Sequence, residues 1–574
     1  MQRALISRQL WHYGLLGAML ALLGVFLVYP ILLTVRGGFY ADPATRSGFT
    51  LEHLVMVFRD PVLVEGLLNS FKIATLTTTL AILIALPLAV LSAWYKFPGK
   101  AFFNAAVLVP LILPPFVGAI GMRALLGREG AVNALLGTNF DILGDAKLAG
   151  VVLVQSLALY PIIFLNATAS LANLDPALNE AAENLGCGPW RRFFRITLPL
   201  VRPGLFAGAT IVFIWSFTEL GTPLMFDYYR VTPVQIFYGL KEVENSARPY
   251  ALTVVLLASA VGLYVLGKVV FGGRGHAMYS KASRAAGEKS VGGWGWAIAG
   301  VFALVGSAAI MPHLGVVLTS VASPGQWYKS VLPEHYTLSH FGQALGSPDS
   351  FRSIMNSLKL SIAAMTFDIV LGVLVAYVIV RTNVRGRQVL DALCMLPLAV
   401  PGLVMAFGYV AMSLEWPFGR GPLGGFASVF AADPNPIPFL IIAYSVRRLP
   451  YIVRSTVAGL EQTSGELEEA AVNLGASRVT AMRRVIVPLI MANLIAGGLL
   501  VFSFSMLEVS DSLILAQQAV DFPVTKAIWS FMDRLGDGPS IASAMGVWGM
   551  ALLTLTLFGA SSLLGKKLGS IFRV

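Results

Sequence analysis

The chain has 574 residues, of which 56% are hydrophobic and only 12% are charged, and its mean hydropathy is +0.74. Soluble globular domains carry about twice that charged fraction, so the composition excludes an ordinary soluble protein. The net charge of +11 does not require nucleic acid, because lysines and arginines facing anionic membrane lipid explain most of it. We therefore expect an integral membrane protein without a nucleic-acid partner.

In chain order, the apolar runs predict about twelve transmembrane helices, each long enough to cross a bilayer. The runs are too long and too uniformly apolar for barrel strands, so the predicted fold class is an all-α integral membrane protein. Their approximate limits are 11–35, 68–95, 101–127, 148–172, 202–226, 250–271, 294–320, 354–381, 388–414, 436–458, 490–516 and 541–566.

The distribution of lysine and arginine predicts the orientation of these helices. With a cytoplasmic N-terminus, more than half of the 41 basic residues fall in segments on the inner side. The outer segments have fewer, spread through longer loops that also carry acidic residues. This multi-pass arrangement places residues 174–200 and 463–489 in the cytoplasm.

An internal repeat divides the chain into two homologous halves. "NSFKIA" at Asn69 matches "NSLKLS" at Asn356 with an offset of 287 residues, and later matches such as Glu180 with Glu469 have an offset of 289. Each half has six predicted helices, so the halves share one orientation and form a parallel repeat. The predicted divisions are a first half at 1–271, a flexible cytoplasmic linker at 272–293 and a second half at 294–574.

Each half contains one copy of a polar loop, which we call the first repeated loop (174–200) and the second repeated loop (463–489). The first contains "EAAENLGCGPWRRFFRITLPL" and the second contains "EEAAVNLGASRVTAMRRVIVPL". Asp175 and Ser464 are predicted helix N-caps, and a glycine follows each short helix where a residue of positive φ would end it. An ordinary loop explains one such copy, but two copies with identical spacing favour a docking surface. The candidate docking residues are Glu180, Ala181, Ala182, Gly186, Glu469, Ala470, Ala471 and Gly475.

The spacing E-A-A, three residues, Gly, nine residues, Ile-x-Leu-Pro resembles the signature loop of binding-protein-dependent ABC importer permeases. The first loop fits throughout, and the second has Val485 and Val487 in place of Ile and Leu. The two-in-one layout over the whole chain resembles fused permeases of the ferric-iron, thiamine and 2-aminoethylphosphonate group. The resemblance implies that the short helix of each loop docks into a separate ATPase subunit.

The resemblance also implies the partners and the cell compartment. The implied partners are two copies of an ABC ATPase, which bind ATP and Mg²⁺, and a periplasmic or surface-tethered binding protein. The implied location is the bacterial inner membrane. We expect no catalytic, metal or cofactor site in this chain. No metal-ligand spacing is present, and "GLYVLGKV" at Gly262 lacks the hydroxyl residue and the strand–helix context of a phosphate-binding loop.

The substrate stays open at this point. Iron(III) is the first expectation, with 2-aminoethylphosphonate, polyamine and thiamine as alternatives. A secondary transporter built from two parallel halves is a different function, but it does not explain two matching docking loops. A membrane-embedded enzyme is a third, but no H-E-x-x-H or similar motif supports it.

Ionisable residues inside apolar spans are costly and usually face the bundle interior or water. They are therefore candidates for the translocation pathway or its gate, with structural pairing, for instance of Asp368 with Arg447, as the alternative. Glu219 and Glu508 are related by the repeat, so they can face each other across its axis. Prolines that break helices in the expected pore segments join this set, which contains Glu219, Glu508, Asp511, Asp368, Arg447, Arg448, Pro114 and Pro401.

Overall fold

The computed structural model describes residues 2–112, 114–141, 144, 146–172, 174–271, 289–419 and 421–564. Most of these residues are helical, which agrees with the predicted all-α class. Within the described ranges, the regular strands are β1 (Tyr95–Lys96) and β2 (Lys289–Ser290), which pair in parallel. Most of the predicted linker, 272–288, lies outside the described residues.

The first half contains fifteen described α-helices, with π-helical turns at Gly24–Val28 and Phe193–Thr197 and a 3-10 turn at Leu240–Glu242. The α-helices are α1 (Gln2–Leu23), α2 (Tyr29–Gly37), α3 (Glu52–Arg59), α4 (Pro61–Trp94), α5 (Lys100–Ala106), α6 (Val109–Ile112), α7 (Pro115–Leu126), α8 (Ala131–Leu136), α9 (Lys147–Ala172), α10 (Pro176–Asn184), α11 (Pro189–Arg192), α12 (Leu198–Phe217), α13 (Gly221–Met225), α14 (Thr232–Gly239) and α15 (Arg248–Phe271).

The second half contains thirteen described α-helices, with a π-helical turn at Met482–Ile486 and a 3-10 turn at Ala519–Asp521. Its helices are α16 (Trp294–Val321), α17 (Ser339–Gly346), α18 (Pro348–Arg381), α19 (Arg387–Ala399), α20 (Gly402–Leu414), α21 (Ile437–Glu461), α22 (Glu466–Asn473), α23 (Arg478–Ala481), α24 (Val487–Leu489), α25 (Met491–Met506), α26 (Ser510–Leu515), α27 (Val524–Met532) and α28 (Gly538–Leu564).

Eight described helical stretches are long and apolar enough to cross a membrane, and three bent helix pairs raise this number to eleven. Eleven of the twelve predicted spans overlap these segments. The predicted spans at 202–226 and 490–516 were too long, because the helices end at Phe217 and Met506. The predicted span at 436–458 falls in α21, a helix of 25 residues. It contains three arginines and is not among the stretches that qualify by length and apolarity.

The helix breaks expected at Pro114 and Pro401 are observed. Pro401 precedes α20, and the segment Arg387–Ala399 bends by 105° against Gly402–Leu414. Pro114 precedes α7 at the equivalent position, where the bend is 93°. Both prolines have extended backbone, with ψ of 133°, so neither continues the preceding helix.

The described chain folds into two compact units whose boundaries differ from those of the sequence halves. Among the described residues, the first contact unit comprises 2–60, 236–255 and 338–564. Within it, α1 packs on α18 and α19, and α2 packs on α20. Its core joins Leu16 and Leu23 of the first span to Val375, Val453 and other apolar residues of the second half.

Among the described residues, the second contact unit comprises 61–235 and 256–337. Here α4, α9 and α12 pack on one another, and α16 packs on α7. A Cβ on Gly121 would collide with the backbone of α16 at Pro312, so only glycine permits this close approach. Each unit therefore combines most helices of one half with the first span of the other, and the first unit also includes Ile236–Val255 of the first half.

Candidate functional site

The first repeated loop consists of a capped helix, a glycine turn and a second helix. The Asp175 side chain accepts a hydrogen bond from the Ala177 N–H at 2.9 Å, as an N-cap does, and Pro176 occupies the first helical position. Helix α10 then ends at Asn184. The second predicted helix begins at Pro189, passes through a π-helical turn and continues into α12.

The second repeated loop has the same plan with different capping. The predicted N-cap Ser464 accepts the Glu466 N–H through Oγ at 3.2 Å, the same bond that Asp175 makes in the first loop. Gly465, between Ser464 and α22, already has a helical backbone, with a φ of −65° and a ψ of −20°. Ser477 is a true N-cap, since its Oγ accepts the Thr480 N–H at 3.2 Å at the start of α23.

Both loops turn at a glycine of positive φ. Gly186 has a φ of 77° and Gly475 has a φ of 89°, so both have the left-handed conformation expected from the sequence. The next N–H in each loop bonds back to the short helix, from Cys187 to Ala182 and from Ala476 to Ala471. These bonds satisfy carbonyl groups at the helix C-terminus and fix the angle at which the second helix leaves.

Three apolar side chains occupy equivalent, exposed positions in the two loops. Leu185 and Leu474, 289 residues apart, have 87% and 90% of their surface exposed. Leu178 matches Leu467, and Trp190 matches Val479, and all four are exposed. We call this set the apolar docking patch. Clustered exposed apolar residues commonly mark a protein–protein contact, and here the same three positions are exposed in both loops.

Sequence reasoning missed the apolar docking patch, although the repeat offset contained the signal. It selected instead the acidic and alanine positions, of which Glu180 and Glu469 are exposed. Ala182 is buried and Ala471 is half-buried, whereas Ala181 and Ala470 are exposed. In each alanine pair, the first residue is therefore exposed to solvent and the second packs against the rest of the chain.

The first repeated loop is held by a carboxylate and two cations. Glu183 Oε2 accepts from Arg192 Nη1 at 2.7 Å and lies 3.4 Å from Lys289 Nζ. The hydrogen bond from Arg192 lowers the pKa of the Glu183 carboxyl, and the positive charge of Lys289 lowers it further. Glu183, and not Glu180, thus connects α10 to α11 and to β2.

The second repeated loop is held by a different set of side chains. The Tyr377 hydroxyl on α18 donates to Glu468 Oε1 at 2.7 Å. Arg478 Nη1 lies 2.8 Å from His12 Nε2, and the His12 ring meets the Tyr377 ring edge-on. Because arginine can only donate, His12 accepts through Nε2. The loop is thereby attached to α1 and to α18.

A buried charge cluster lies in the first contact unit. Arg447 Nη1 is 2.7 Å from Glu508 Oε1 and 3.5 Å from Asp511 Oδ2. Arg448 Nη2 also bonds to Glu508, through Oε2, and to the Phe504 carbonyl oxygen. Glu508 and Asp511 are buried, so the two guanidinium groups compensate carboxylates that water does not reach.

The suggested pairing of Asp368 with Arg447 is wrong, because Arg447 bonds to Glu508 and Asp511 instead. Asp368 is fully buried in α18, and neither of its carboxyl oxygens has a hydrogen-bond partner among the described residues. The cluster has no counterpart in the first half, where Ala158 and Leu159 occupy the positions equivalent to Arg447 and Arg448.

Glu219 and Glu508 occupy equivalent helix breaks. Glu219 lies between α12 and α13 and accepts the Thr222 N–H through Oε1 at 3.3 Å. Glu508 lies between α25 and α26. Whether the two carboxylates face each other remains a prediction. Within the described ranges, no group of three or more His, Cys, Asp or Glu side chains could hold a metal ion.

Comparison with protein families gives one extensive match. The profile of the family described as "Binding-protein-dependent transport system inner membrane component" matches residues 81–271 and 368–568. The two matches include both repeated loops and together cover well over half of the chain. They also coincide with the two repeats derived from the sequence.

Individual relatives match over most of the chain or over one repeat. A putative ferric transport system permease protein of Haemophilus influenzae is 27% identical over 84% of this chain and 75% of its own length. A ferric transport system permease protein of Actinobacillus pleuropneumoniae is 27% identical over 93% of this chain and 75% of its own. A probable molybdenum ABC transporter permease protein of Haloferax volcanii is 33% identical over 44% of this chain and 88% of its own.

Proposed function

Because the chain belongs to the family of binding-protein-dependent transport system inner membrane components, we propose that its two repeated loops transmit the movement of ATPase subunits to a pathway that carries iron(III). Proteins of this family are permease subunits of ABC importers and work with a substrate-binding protein. ATP is hydrolysed by partner subunits.

One observation carries the proposed role of the loops. Both loops combine a short helix, a positive-φ glycine and an exposed apolar docking patch at matching positions. An importer driven by two ATPase subunits needs two equivalent rigid contacts, since a loosely attached helix would absorb the movement. A secondary transporter gives no reason for the duplication.

The number of partners follows from the number of loops. We infer one copy of this chain with two ATPase copies, each meeting one loop. Native mass measurement of the purified complex tests this stoichiometry. An assembly with two copies of this chain would contradict it.

The proposed orientation has the N-terminus and both repeated loops in the cytoplasm, consistent with the excess of lysine and arginine on that side. The long segments at 36–66 and 321–353 then face the binding protein. Labelling of single cysteines at Leu185 and Tyr328 in sealed, right-side-out vesicles tests the orientation, in a background where Cys187 and Cys394 are serine. An impermeant reagent is expected to reach position 328 only.

Iron(III) is the proposed substrate because two relatives that match most of the chain have ferric transport in their names. The molybdenum permease relatives, together with 2-aminoethylphosphonate, polyamine and thiamine, define the alternatives. ATP-dependent uptake of radiolabelled iron by proteoliposomes holding the whole importer tests the assignment. Uptake of another candidate in place of iron would reject iron without rejecting the importer.

A further inference from the structure

Lys526 is a buried cation outside the charge cluster described above. Its side chain extends from α27, and the residue is only 4% exposed. Nζ donates one hydrogen bond, to the Leu513 carbonyl oxygen near the end of α26, at 2.9 Å. No acidic side chain in the described part of the chain forms an ion pair with it.

Three aromatic rings surround this ammonium group. Nζ lies 4.8 Å from the ring centre of Trp529, 5.2 Å from that of Phe237 and 5.6 Å from that of Phe522. Ring faces attract a cation by about 0.5–2 kcal/mol each, which is much less than the cost of removing an ammonium group from water. These three rings and the Leu513 carbonyl group, which we call the cage, therefore hold the cation without neutralising its charge.

Both repeats contribute to this cage, since Phe237 and Trp529 occupy the same position in α14 and α27, counted from the first residue of each helix. Ser70 Oγ accepts the Thr232 N–H at 3.0 Å, and Ser357 Oγ accepts the Val524 N–H at 2.8 Å. Ser70 and Ser357 are equivalent in the repeat. Phe237 lies five residues after Thr232, and Trp529 lies five residues after Val524. Their rings meet edge-on, with the ring centres 5.5 Å apart. A contact between equivalent positions is the one expected beside the axis that relates two repeats.

The cage is also connected to the charge cluster. Thr525, which precedes Lys526, donates through Oγ1 to the Glu508 carbonyl oxygen at 2.6 Å. Leu513, the acceptor for Lys526, lies in α26, the helix that contains Asp511. A structural role for Lys526 would be to cap the C-terminal carbonyls of α26, but an uncharged donor does this at lower desolvation cost.

We propose that Lys526 is a selectivity residue that attracts an anionic, oxygen-bearing solute to the translocation pathway. An uncompensated buried cation is stabilised when a negatively charged group approaches it, so an anion would bind where a cation is repelled. Two kinds of solute share this chemistry, a free oxyanion and a negatively charged chelate of iron(III). The inference rests on the proposed transport function and narrows its substrate class.

The experiment uses proteoliposomes that contain the whole importer, with three anionic and two cationic probes. The anionic probes are molybdate, 2-aminoethylphosphonate and iron(III) citrate, and the cationic probes are spermidine and thiamine. The variants are Lys526→Met, which removes the charge, and Lys526→Arg, which keeps it. Lys241→Met is the matched control, because Lys241 is an exposed lysine just after α14.

We expect the wild type to take up at least one anionic probe and neither cationic probe. Lys526→Met should lower that uptake at least tenfold, whereas Lys526→Arg and Lys241→Met should stay within about threefold of the wild type. Which anionic probe is carried distinguishes a free oxyanion from an iron(III) chelate. Size-exclusion profiles and melting temperatures of the detergent-solubilised variants check that each variant is folded.

Two results would overturn the inference and leave the importer function intact. One is uptake of spermidine or thiamine alone, and the other is wild-type uptake of the anionic probe by folded Lys526→Met. Absence of ATP-dependent uptake for every probe would instead reject the proposed function, and this inference with it.

Discussion

The guanidinium group of Arg447 occupies the space that Gly402 leaves by having no side chain. A Cβ at Gly402 would collide with that group. Gly402 is the first residue of α20, immediately after the bend at Pro401, so Arg447 connects the bend to Glu508 and Asp511. The charge cluster therefore fixes the backbone of a helix break as well as compensating buried carboxylates.

Replacement of Arg447 should strongly destabilise the protein. Arg447→Met leaves buried Asp511 without its guanidinium partner, and breaking a buried ion pair costs about 3–5 kcal/mol of unfolding free energy. The melting temperature of the purified protein measures the effect. The matched control is Arg454→Met, since Arg454 forms a half-exposed pair with Asp391 that is worth about 0–1 kcal/mol.

Gly402→Ala should destabilise through the same contact, because the added methyl group displaces the guanidinium group. In the Arg447→Met background, Gly402→Ala should therefore add little, since contacting residues are not additive. Fully additive effects of the two substitutions would show that Gly402 and Arg447 act independently.

Gly186→Val and Gly475→Val should each impair coupling without unfolding the membrane helices. A side chain at positive φ costs about 1 kcal/mol or more, and an added Cβ would meet no atom within 4 Å at either glycine. The strain thus lies in the backbone turn alone. Substrate-stimulated ATP hydrolysis in liposomes should fall sharply, and the double variant should be worse than either single one.

Gly188→Val is the control for this experiment. Gly188 lies in the same loop with open space around it, but its φ of −60° suits any residue. It should behave as the wild type. Normal stimulation and transport in the Gly186→Val/Gly475→Val variant would show that these turns do not transmit the ATPase movement.

Leu185→Ser and Leu474→Ser should weaken ATPase binding while leaving the permease fold unchanged. Both side chains are almost fully exposed, so little packing is lost within the chain. A buried leucine at a contact is worth about 1.5–3 kcal/mol, which corresponds to a roughly tenfold or greater loss of affinity. Co-purification of the ATPase measures this loss. Leu535→Ser is the control, since Leu535 is 99% exposed and lies outside both loops.

The contact of Glu183 with Arg192 should loosen in acid. The pKa of Glu183 is lowered in the folded protein, so its contribution is present above the unfolded carboxyl pKa of about 4.3 and is lost as the pH falls through the folded value. Hydrogen exchange of α10 should be faster in Glu183→Gln than in the wild type at pH 7, and the two should converge in acid. Glu180→Gln is the control for exchange, and an equal effect there would argue against the ion pair.

Uptake of the anionic substrate should decline at alkaline pH, because Lys526 loses the charge that attracts it. Burial lowers the pKa of Lys526 to about 8, so the ammonium form predominates at pH 7 and is mostly lost by pH 9. Uptake of the anionic substrate should fall across that range in the wild type. It should stay level in Lys526→Arg, because arginine keeps its proton above pH 12. Parallel profiles in both proteins would contradict the assignment.

The sequence was sufficient for the elements that depend on local pattern. The apolar runs predicted the spans, and the glycines after the two short helices predicted the positive φ of Gly186 and Gly475. Pro114 and Pro401 predicted the helix breaks. At the glycine turns and proline breaks one residue determines the local backbone, and the spans follow from composition alone, so no distant contact had to be known.

The parts that sequence reasoning missed depend on contacts between distant segments. The repeat offset matches Leu474 with Leu185, but in a chain that is 56% hydrophobic the exposure of these leucines is not evident until burial is known. The partner of Arg447 was assigned to the wrong carboxylate because four acidic residues of the spans were available and their spacing in the sequence does not distinguish them. Lys526 was overlooked because its cage includes Phe237, which is almost 290 residues away.

The packing of α1 and α2 has a consequence for biosynthesis. The ribosome makes Leu10–Gly37 first, but its partners α18, α19 and α20 follow roughly 300 residues later. The first helix must therefore remain without these partners, in the bilayer or bound to a chaperone, until most of the chain has been translated. A gene cut between the repeats would give two polypeptides that each lack the partner of their own first helix. Such fragments should be stable only when they are made together and exchange those helices.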